Sequence, residues 1–412
     1  MISYERFTLS NGLKLMVHQD SSTPLVAMNI LYNVGSRDES PARTGFAHLF
    51  EHLMFGGSIN IPKYDEPLQR VGGENNAFTN NDITNYYLTL PLVNLETAFW
   101  LESDRMLNLA FSKKSFDVQR NVVVEEFRQN YLNQPYGDAW LLLRPLVYKV
   151  HPYQWPTIGK EPAHIEQAKM DEVKAFYNKF YNPGNAILVV AGNVDSQQIL
   201  ELSEKWFGSI RKGEAYVRNL PKEPVQTEAR SLTVERKVPF DAIYKAWHMC
   251  SRNAPEFYAT DLISDILSAG QSGRLYQELV KKKRLFSDIN AYITGDIDEG
   301  LFVVTGKLMK GCSFESAEAA IEEELEKVRT ELASETELTK VKNRMESLMA
   351  FGEMRVLDKA MNLAYYELLG NADLINTLVD QYQRVTAEEI RKQAVSILRQ
   401  ENSSTLYYKA ES

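Results

Sequence analysis

The sequence predicts an α+β protein made of two related domains, each an antiparallel-rich sheet covered by helices. Its 412 residues are enough for two or three domains at roughly 150 residues each. Strands and helices come in a similar order in the two halves, and a polar segment with two prolines separates them. We therefore predict a first domain at 1–211, a linker at 212–230 and a second domain at 231–412.

The first half begins with short alternating segments that are typical of strands, and an Asn11-Gly12 pair marks a hairpin turn. A helix, two strands, two long helices, a further strand and a final helix follow. The predicted elements are strands 6–9, 14–17 and 25–34, a helix at 44–55, strands 76–79 and 86–90, helices 95–109 and 116–133, a strand at 186–191 and a helix that begins at Ser196.

The second half repeats this order with weaker similarity in sequence. Its predicted elements are strands 231–238 and 243–250, a helix at 256–267, strands 289–294 and 301–308, helices 314–332, 337–369 and 387–398, and a strand at 405–408. Strands grouped with layered helices are typical of α+β domains of the α/β-sandwich kind.

The composition excludes several classes of protein. Hydrophobic residues make up 44% and charged residues 25%, which excludes a disordered or fibrous chain. With a net charge of −9 and no basic stripe, the chain is a poor candidate for binding nucleic acid or an anionic membrane. No apolar run approaches the roughly 18 residues of a membrane span. Residues 1–15 resemble neither a secretory signal nor a presequence, which predicts a cytoplasmic protein.

The strongest indication of chemistry is a segment of five residues at 48–52, with the sequence HLFEH. On a helix, the apolar side chains fall on one side, and His48, Glu51 and His52 fall on the other. Histidines four residues apart can offer ring nitrogens to one Zn²⁺, and Glu51 is placed to act as general base toward a water molecule. Chance alone would give this spacing about 0.01 times in a chain of this composition. Thr44 is the predicted N-cap of the helix.

A catalytic zinc site needs a third protein ligand and an open position. The predicted helix at 116–133 carries two adjacent carboxylates, Glu125 and Glu126. Glu126 borders the apolar side of this helix and Glu125 points away from it, so we predict Glu126 as the ligand. Glu125 would then be solvated or would support the site through a hydrogen bond. From the residues alone, a plain surface acidic pair remains the alternative.

These residues resemble the inverted zinc motif of the inverzincins, the pitrilysin family, which includes insulin-degrading enzyme and the mitochondrial processing peptidase. Glu126 matches the downstream glutamate that completes the family's zinc site. Asn76-Ala77-Phe78-Thr79 resembles the strand along which family members bind substrate. The resemblance covers nearly the whole chain, whose length is similar to that of the short two-domain bacterial members.

The resemblance implies a zinc-dependent endopeptidase with one Zn²⁺ per chain, held by the two histidines and Glu126, with Glu51 as general base. In the family, four such domains enclose a chamber for peptides and small unfolded segments. A two-domain chain would therefore form half of a clamshell chamber and pair with another chain. The substrate would lie extended along residues 76–79 as an added strand, bound mainly through its backbone.

Two departures from the family pattern bear on the active assembly. Gln119 stands where the family often has a glutamate that supports a ligand histidine. Val280 and Ser287 stand where catalytically complete members have an Arg and a Tyr that bind the substrate. The prediction is therefore a zinc-bearing subunit paired with a related chain that supplies this Arg and Tyr, with a homodimer as the alternative. The second half lacks the zinc motif and has Asp261 to Asp265 in its place.

Two other functions stay open at this point. One is a non-catalytic assembly subunit, and the other is a protein that binds peptides without cutting them. Retention of both histidines, Glu51 and Glu126 favours the peptidase, because non-catalytic members usually lose zinc residues.

Overall fold

Two packed units make up the part of the chain that the computed structural model describes, residues 1–214 and 216–411. The first unit contains Met1–Arg128, Trp155–Leu220 and Ala350–Thr377. The second contains Gln129–Gln154, Pro221–Met349 and the described residues from Leu378 onward. Packing therefore divides the chain differently from the predicted limits at 211 and 231, although the change at Leu220–Pro221 falls inside the predicted linker.

Most of the strands carry apolar side chains on at least one face. The strands are β1 (Glu5–Thr8), β2 (Lys14–Gln19), β3 (Leu25–Tyr32), β4 (Glu74–Thr79), β5 (Thr84–Pro91), β6 (Ala186–Gly192), β7 (Arg230–Arg236), β8 (Ala242–His248), β9 (Phe286–Ile293), β10 (Leu301–Leu308) and β11 (Ser403–Ala410). The end strands β1 and β4 are more polar.

The helices cover these strands. They are α1 (Phe46–Leu53), α2 (Asp65–Arg70), α3 (Leu95–Leu107), α4 (Lys113–Phe127), α5 (Ala139–Val147), α6 (Pro162–Glu166), α7 (Met170–Phe180), α8 (Ser196–Phe207), α9 (Phe257–Ser268), α10 (Phe314–Thr330), α11 (Glu335–Gly352), α12 (Val356–Leu368), α13 (Leu374–Arg384) and α14 (Ala387–Ile397).

The sheet of the first unit has the strand order β1-β2-β6-β3-β5-β4. Only the β2–β6 pair is parallel among these neighbours. The central strands β3 and β6 are almost entirely buried, as their continuous apolar runs predict for strands covered on both faces. Strand β4 lies at one end of the sheet and pairs with β5 alone in the described residues, so its other edge faces outward.

The five-stranded sheet of the second unit has the order β7-β11-β8-β10-β9, which repeats this topology without a counterpart of β1. Its parallel pair, β7–β11, takes the place of β2–β6, and the remaining neighbours are antiparallel. In each half a helix, α1 or α9, is the first long helix after the corresponding antiparallel strand, β3 or β8. The match confirms the predicted α+β class and the two related domains.

Each sheet is covered in part by a helix from the other half of the sequence. Helix α5 packs on β7, β8 and β11, and helix α12 packs on β2, β3 and β6. This exchange explains why the packed units do not follow the predicted domain limits. It also explains why the single helix predicted at 337–369 is wrong: α11 ends at Gly352, the chain is extended at Arg355, and α12 then starts on the first sheet.

In the described residues, no helix is both long enough and apolar enough to cross a membrane.

Candidate metal centre

Helix α1 presents the predicted polar trio on one face and packs the other into the first unit. Phe46, Ala47, Leu49, Phe50 and Leu53 are buried, while His48, Glu51 and His52 are partly exposed. The Tyr86 hydroxyl of β5 donates a hydrogen bond to the Phe50 carbonyl at 3.1 Å and supports the helix from the sheet. The apolar stripe thus holds the polar face in a fixed direction.

The predicted N-cap of this helix is wrong. The N-cap residue is Gly45, with φ of 90°, and it has no side chain to accept a hydrogen bond. A Cβ at Gly45 would lie 2.7 Å from the Ile158 carbonyl oxygen, so the tight approach also requires glycine. The Thr44 hydroxyl points elsewhere and accepts a hydrogen bond from the Lys160 N–H at 2.8 Å.

Helix α4 brings Glu126 to the two histidines. The His48 and His52 Nε2 atoms are 3.4 Å apart, and Glu126 Oε2 lies 3.7 Å from the first and 3.4 Å from the second. Ligand atoms at zinc bond lengths of 2.0–2.1 Å in tetrahedral geometry lie about 3.4 Å apart. Two imidazole nitrogens and one carboxylate oxygen at this spacing therefore fit a zinc ion.

The charges of these groups suit metal binding. Burial lowers the pKa of His48 to about 4, so its imidazole is neutral near pH 7 and offers a lone pair. A hydrogen bond with His52 lowers the pKa of Glu126, so this carboxylate is ionised. Among the described residues, no Lys or Arg pairs with Glu126, so its charge is not compensated by a protein cation.

Glu51 lies beside the three donor groups and next to the edge strand. Burial raises the pKa of Glu51, and its interactions with Thr79 and His52 oppose the rise. A carboxylate with a raised pKa is suited to take up and release a proton near neutral pH. Thr79 is the last residue of β4, so the strand and the helix meet at this carboxylate.

The other residues predicted to bind substrate also lie on β4. Ala77 is buried, whereas Asn76 and Phe78 are exposed. The Ala77 N–H donates to the side-chain oxygen of Asn76 at 2.8 Å. The structure thus brings residues 76–79 to an outer sheet edge that ends at Glu51.

Neither of the two residues considered as support for the ligands, Gln119 and Glu125, makes a hydrogen bond to them in the described residues. Glu125 is exposed and forms an ion pair with Arg128, which also pairs with Glu166 at 2.8 Å. Gln119 is half-buried on α4, and in the described structure its amide makes no hydrogen bond to His48 or His52.

Val280 and Ser287 lie in the second unit, at the positions where the family has an Arg and a Tyr. Val280 is half-buried next to the buried Leu279, and the Ser287 hydroxyl donates to the Lys307 carbonyl at 3.2 Å. Four basic residues, 281–284, follow Val280. Two of them form surface ion pairs, Lys282 with Glu278 at 2.6 Å and Lys283 with Glu323 at 2.5 Å.

Known families match both halves of the sequence. The family described as "Insulinase (Peptidase family M16)" matches residues 14–140, and "Peptidase M16 inactive domain" matches residues 167–345. The chain is 33% identical over 349 residues to the zinc protease PqqE of Helicobacter pylori. The aligned residues cover 82% of this chain and 78% of that protein. The chain belongs to the M16 peptidase family.

Solved structures agree with this membership. A protease from Helicobacter pylori has a TM-score of 0.94 and 28% identity, covering 99% of this chain and 100% of that one. The periplasmic protease PqqL from Escherichia coli has a similar fold, with a TM-score of 0.80 and 19% identity. The match covers 98% of this chain but 47% of PqqL. This M16 protein is therefore of the short, two-domain bacterial type, as the sequence predicts.

Proposed function

We propose that this M16 protein is a zinc-dependent endopeptidase that cleaves peptides or small unfolded segments. The observation that carries the proposal is the convergence of His48, His52 and Glu126 at zinc spacing beside the partly buried Glu51. When bound, zinc would polarise the scissile carbonyl group and favour ionisation of a water molecule.

The chain's own residues supply the proton transfer. The Glu51 carboxylate takes a proton from the attacking water and later delivers it to the leaving amine. Its raised pKa brings the two protonation states closer in free energy near neutral pH.

The outer edge of β4 supplies the substrate site in this proposal. An extended peptide would add as a further strand and exchange main-chain hydrogen bonds with residues 76–79. The Ala77 N–H donates to the Asn76 side chain in the free protein. On binding, this hydrogen bond would break and the Ala77 N–H would donate to the peptide. Binding through the backbone favours broad sequence specificity.

We further propose that the active species is a dimer with a closed chamber, of which this chain forms half. Val280 carries no charge, and the short Ser287 side chain already donates its hydroxyl to the Lys307 carbonyl. Neither replaces the missing Arg and Tyr, which supports a related second chain as partner. A homodimer is the alternative. The mass of the purified protein and its peptidase rate, measured alone, test this point. Full activity as a homodimer would rule out the second chain.

A second candidate is a non-catalytic assembly or peptide-binding member of the family. The description of the domain matched at 167–345 as inactive, and the residues at 280 and 287, favour it. An internally quenched peptide, assayed with and without a chelator, separates the two. The peptidase proposal expects cleavage that stops with the chelator and returns with zinc.

Glu51→Gln is the sharpest variant for this assay, performed with any partner that activity requires. It should lower the cleavage rate about 10³-fold and leave zinc bound, because the amide cannot take up a proton. Cleavage at the original rate would reject Glu51 as the base. Residence in the cytoplasm stays a prediction, which cell fractionation tests.

A further inference from the structure

The first backbone N–H groups of α1 are satisfied from outside the helix. The Glu39 carboxylate accepts hydrogen bonds from the Gly45 N–H and the Ala47 N–H, both at 2.8 Å. Only 6% of Glu39 is exposed. Because Gly45 has no side chain, Glu39 takes over the part that an N-cap residue normally plays. Ala47 directly precedes His48, so this cap lies at the turn that carries the first proposed metal ligand.

The segment that carries Glu39 is itself fixed to the end of the edge strand. The Ser36 N–H donates to the Asn80 carbonyl at 3.2 Å, and the Arg37 N–H donates to the Asn81 carbonyl at 3.0 Å. Asn80 directly follows Thr79 at the end of β4. A buried ion pair between Arg37 and Asp82, at 2.9 Å, adds to this attachment.

Residues from later in the sequence also bind this segment. The Trp155 indole N–H donates to the Ser36 carbonyl at 2.9 Å. The Arg218 guanidinium binds both oxygens of the Asp38 carboxylate, at 2.8 and 3.0 Å. Because Asp38 and Glu39 are neighbours, this clamp leaves Glu39 little freedom to move.

We propose that Glu39 is a positioning residue that fixes the metal-binding helix α1 against the end of the substrate strand β4. It acts through the backbone of α1 and touches neither metal nor substrate. The assignment rests on the proposed metal centre, and it adds a residue that sets where His48 and Glu51 stand relative to Thr79.

Glu39→Gln tests the assignment, since it keeps the size of the side chain but replaces one acceptor oxygen by an NH₂ group that faces a backbone N–H. Zinc affinity, measured by competition with a chromogenic chelator, should fall about 10-fold, as for other residues that orient ligands. The visible spectrum of the cobalt-substituted protein should change as well. Glu39→Asp, which keeps both carboxyl oxygens on a shorter side chain, should lose less affinity.

Glu223→Gln is the matched control. Glu223 is also 6% exposed and accepts backbone N–H groups from Lys149, Val150 and His151 at 2.7 to 2.9 Å, but it belongs to the second unit. This variant should lose stability without a change in zinc affinity or cobalt spectrum. Zinc affinity within twofold of the unaltered chain in both Glu39 variants would overturn the positioning role.

Hydrogen exchange in the metal-free chain separates the two proposals. Glu39→Gln should speed amide exchange in the peptide that spans residues 45–49 at least fivefold, and Glu223→Gln should leave it unchanged. If the unaltered chain binds no zinc, the proposed function fails while this exchange result still stands. If exchange at 45–49 is the same in Glu39→Gln as in the unaltered chain, the positioning role fails.

Discussion

Helices α1 and α9 occupy matching places in the two units, but α1 carries histidines where α9 carries aspartates. Helix α1 has His48 and His52 four residues apart, and α9 has Asp261 and Asp265 at the same spacing. Ser264 stands where α1 has Glu51.

Later helices that contact α1 and α9, namely α4 and α11, also differ in the group that they contribute. Helix α4 brings the carboxylate of Glu126 to His52 at 3.4 Å, whereas α11 brings the guanidinium of Arg344 to Asp265 at 2.8 Å. The Tyr382 hydroxyl also donates to Asp261 at 2.5 Å. In the second unit the protein's own cation and hydroxyl bind the polar groups. In the first unit the donor atoms lie within 3.7 Å of one another, and among the described residues no Lys or Arg pairs with Glu126. The same fold therefore carries a candidate metal centre in the first unit and an internal polar network in the second.

The largest effect should come from removing the carboxylate that α4 contributes. Glu126→Gln should weaken zinc binding about 100-fold, because a neutral amide is a much poorer zinc ligand than a carboxylate. Isothermal titration with zinc measures the change. Glu125→Gln is the control on the next residue, and it should bind zinc normally, since Glu125 is exposed and paired with Arg128. Equal losses in the two variants would contradict the choice of Glu126.

The next effect concerns pH and the network of the second unit. Burial raises the pKa of Asp261 from 3.8 to about 6. The folded state then holds this proton more tightly than the unfolded state, so the free energy of unfolding should fall as pH rises from about 4 to 7. The expected contribution of this group is about 2 kcal/mol.

Urea unfolding at pH 4.5 and 7.5 measures this contribution. Asp261→Asn should remove it, since the amide does not titrate. The test compares the change in the free energy of unfolding between pH 4.5 and pH 7.5 in the two chains. Other titrating groups contribute equally to this change in both. A pH dependence that is the same in the variant and the unaltered chain would show that Asp261 is not the group responsible.

The smallest effect should come from the cation that closes the network. Arg344→Ala leaves Asp265 without its partner and should lower the free energy of unfolding by about 1 kcal/mol. The value is modest because the Arg344 side chain is 46% exposed, although that of Asp265 is only 13% exposed. Arg399→Ala removes an exposed pair with Glu401 and should change stability by less. A larger loss in Arg399→Ala than in Arg344→Ala would mean that the network does not stabilise the second unit.

The sequence was sufficient to predict the features that depend on periodicity. The alternation of strands and the 3.6-residue pattern of α1 led to the correct class and to the polar face of that helix. The position of Glu126 at the border of an apolar stripe, together with the family resemblance, predicts its place beside the histidines. These patterns depend on residues that are close together in the chain, so a single sequence is enough to detect them.

Other features depend on contacts between distant segments and could not be predicted in this way. The cap of α1 comes from Glu39, and no periodicity links that residue to the helix. The break before α12 follows from packing on the first sheet, which the sequence pattern at 337–369 does not indicate. The family pattern suggests that Gln119 supports a ligand histidine, but its amide makes no hydrogen bond to either proposed ligand histidine in the described residues. Glu125, predicted to be solvated or to support the site, is exposed and paired with Arg128.

The zinc content of the purified chain tests the central claim most directly. Mass spectrometry under native conditions should find one zinc per chain, no zinc in His52→Ala, and one zinc per chain in Asp265→Ala, which alters the matching position on α9. The same zinc content in His52→Ala as in the unaltered chain would contradict the assignment of the metal to α1 and α4.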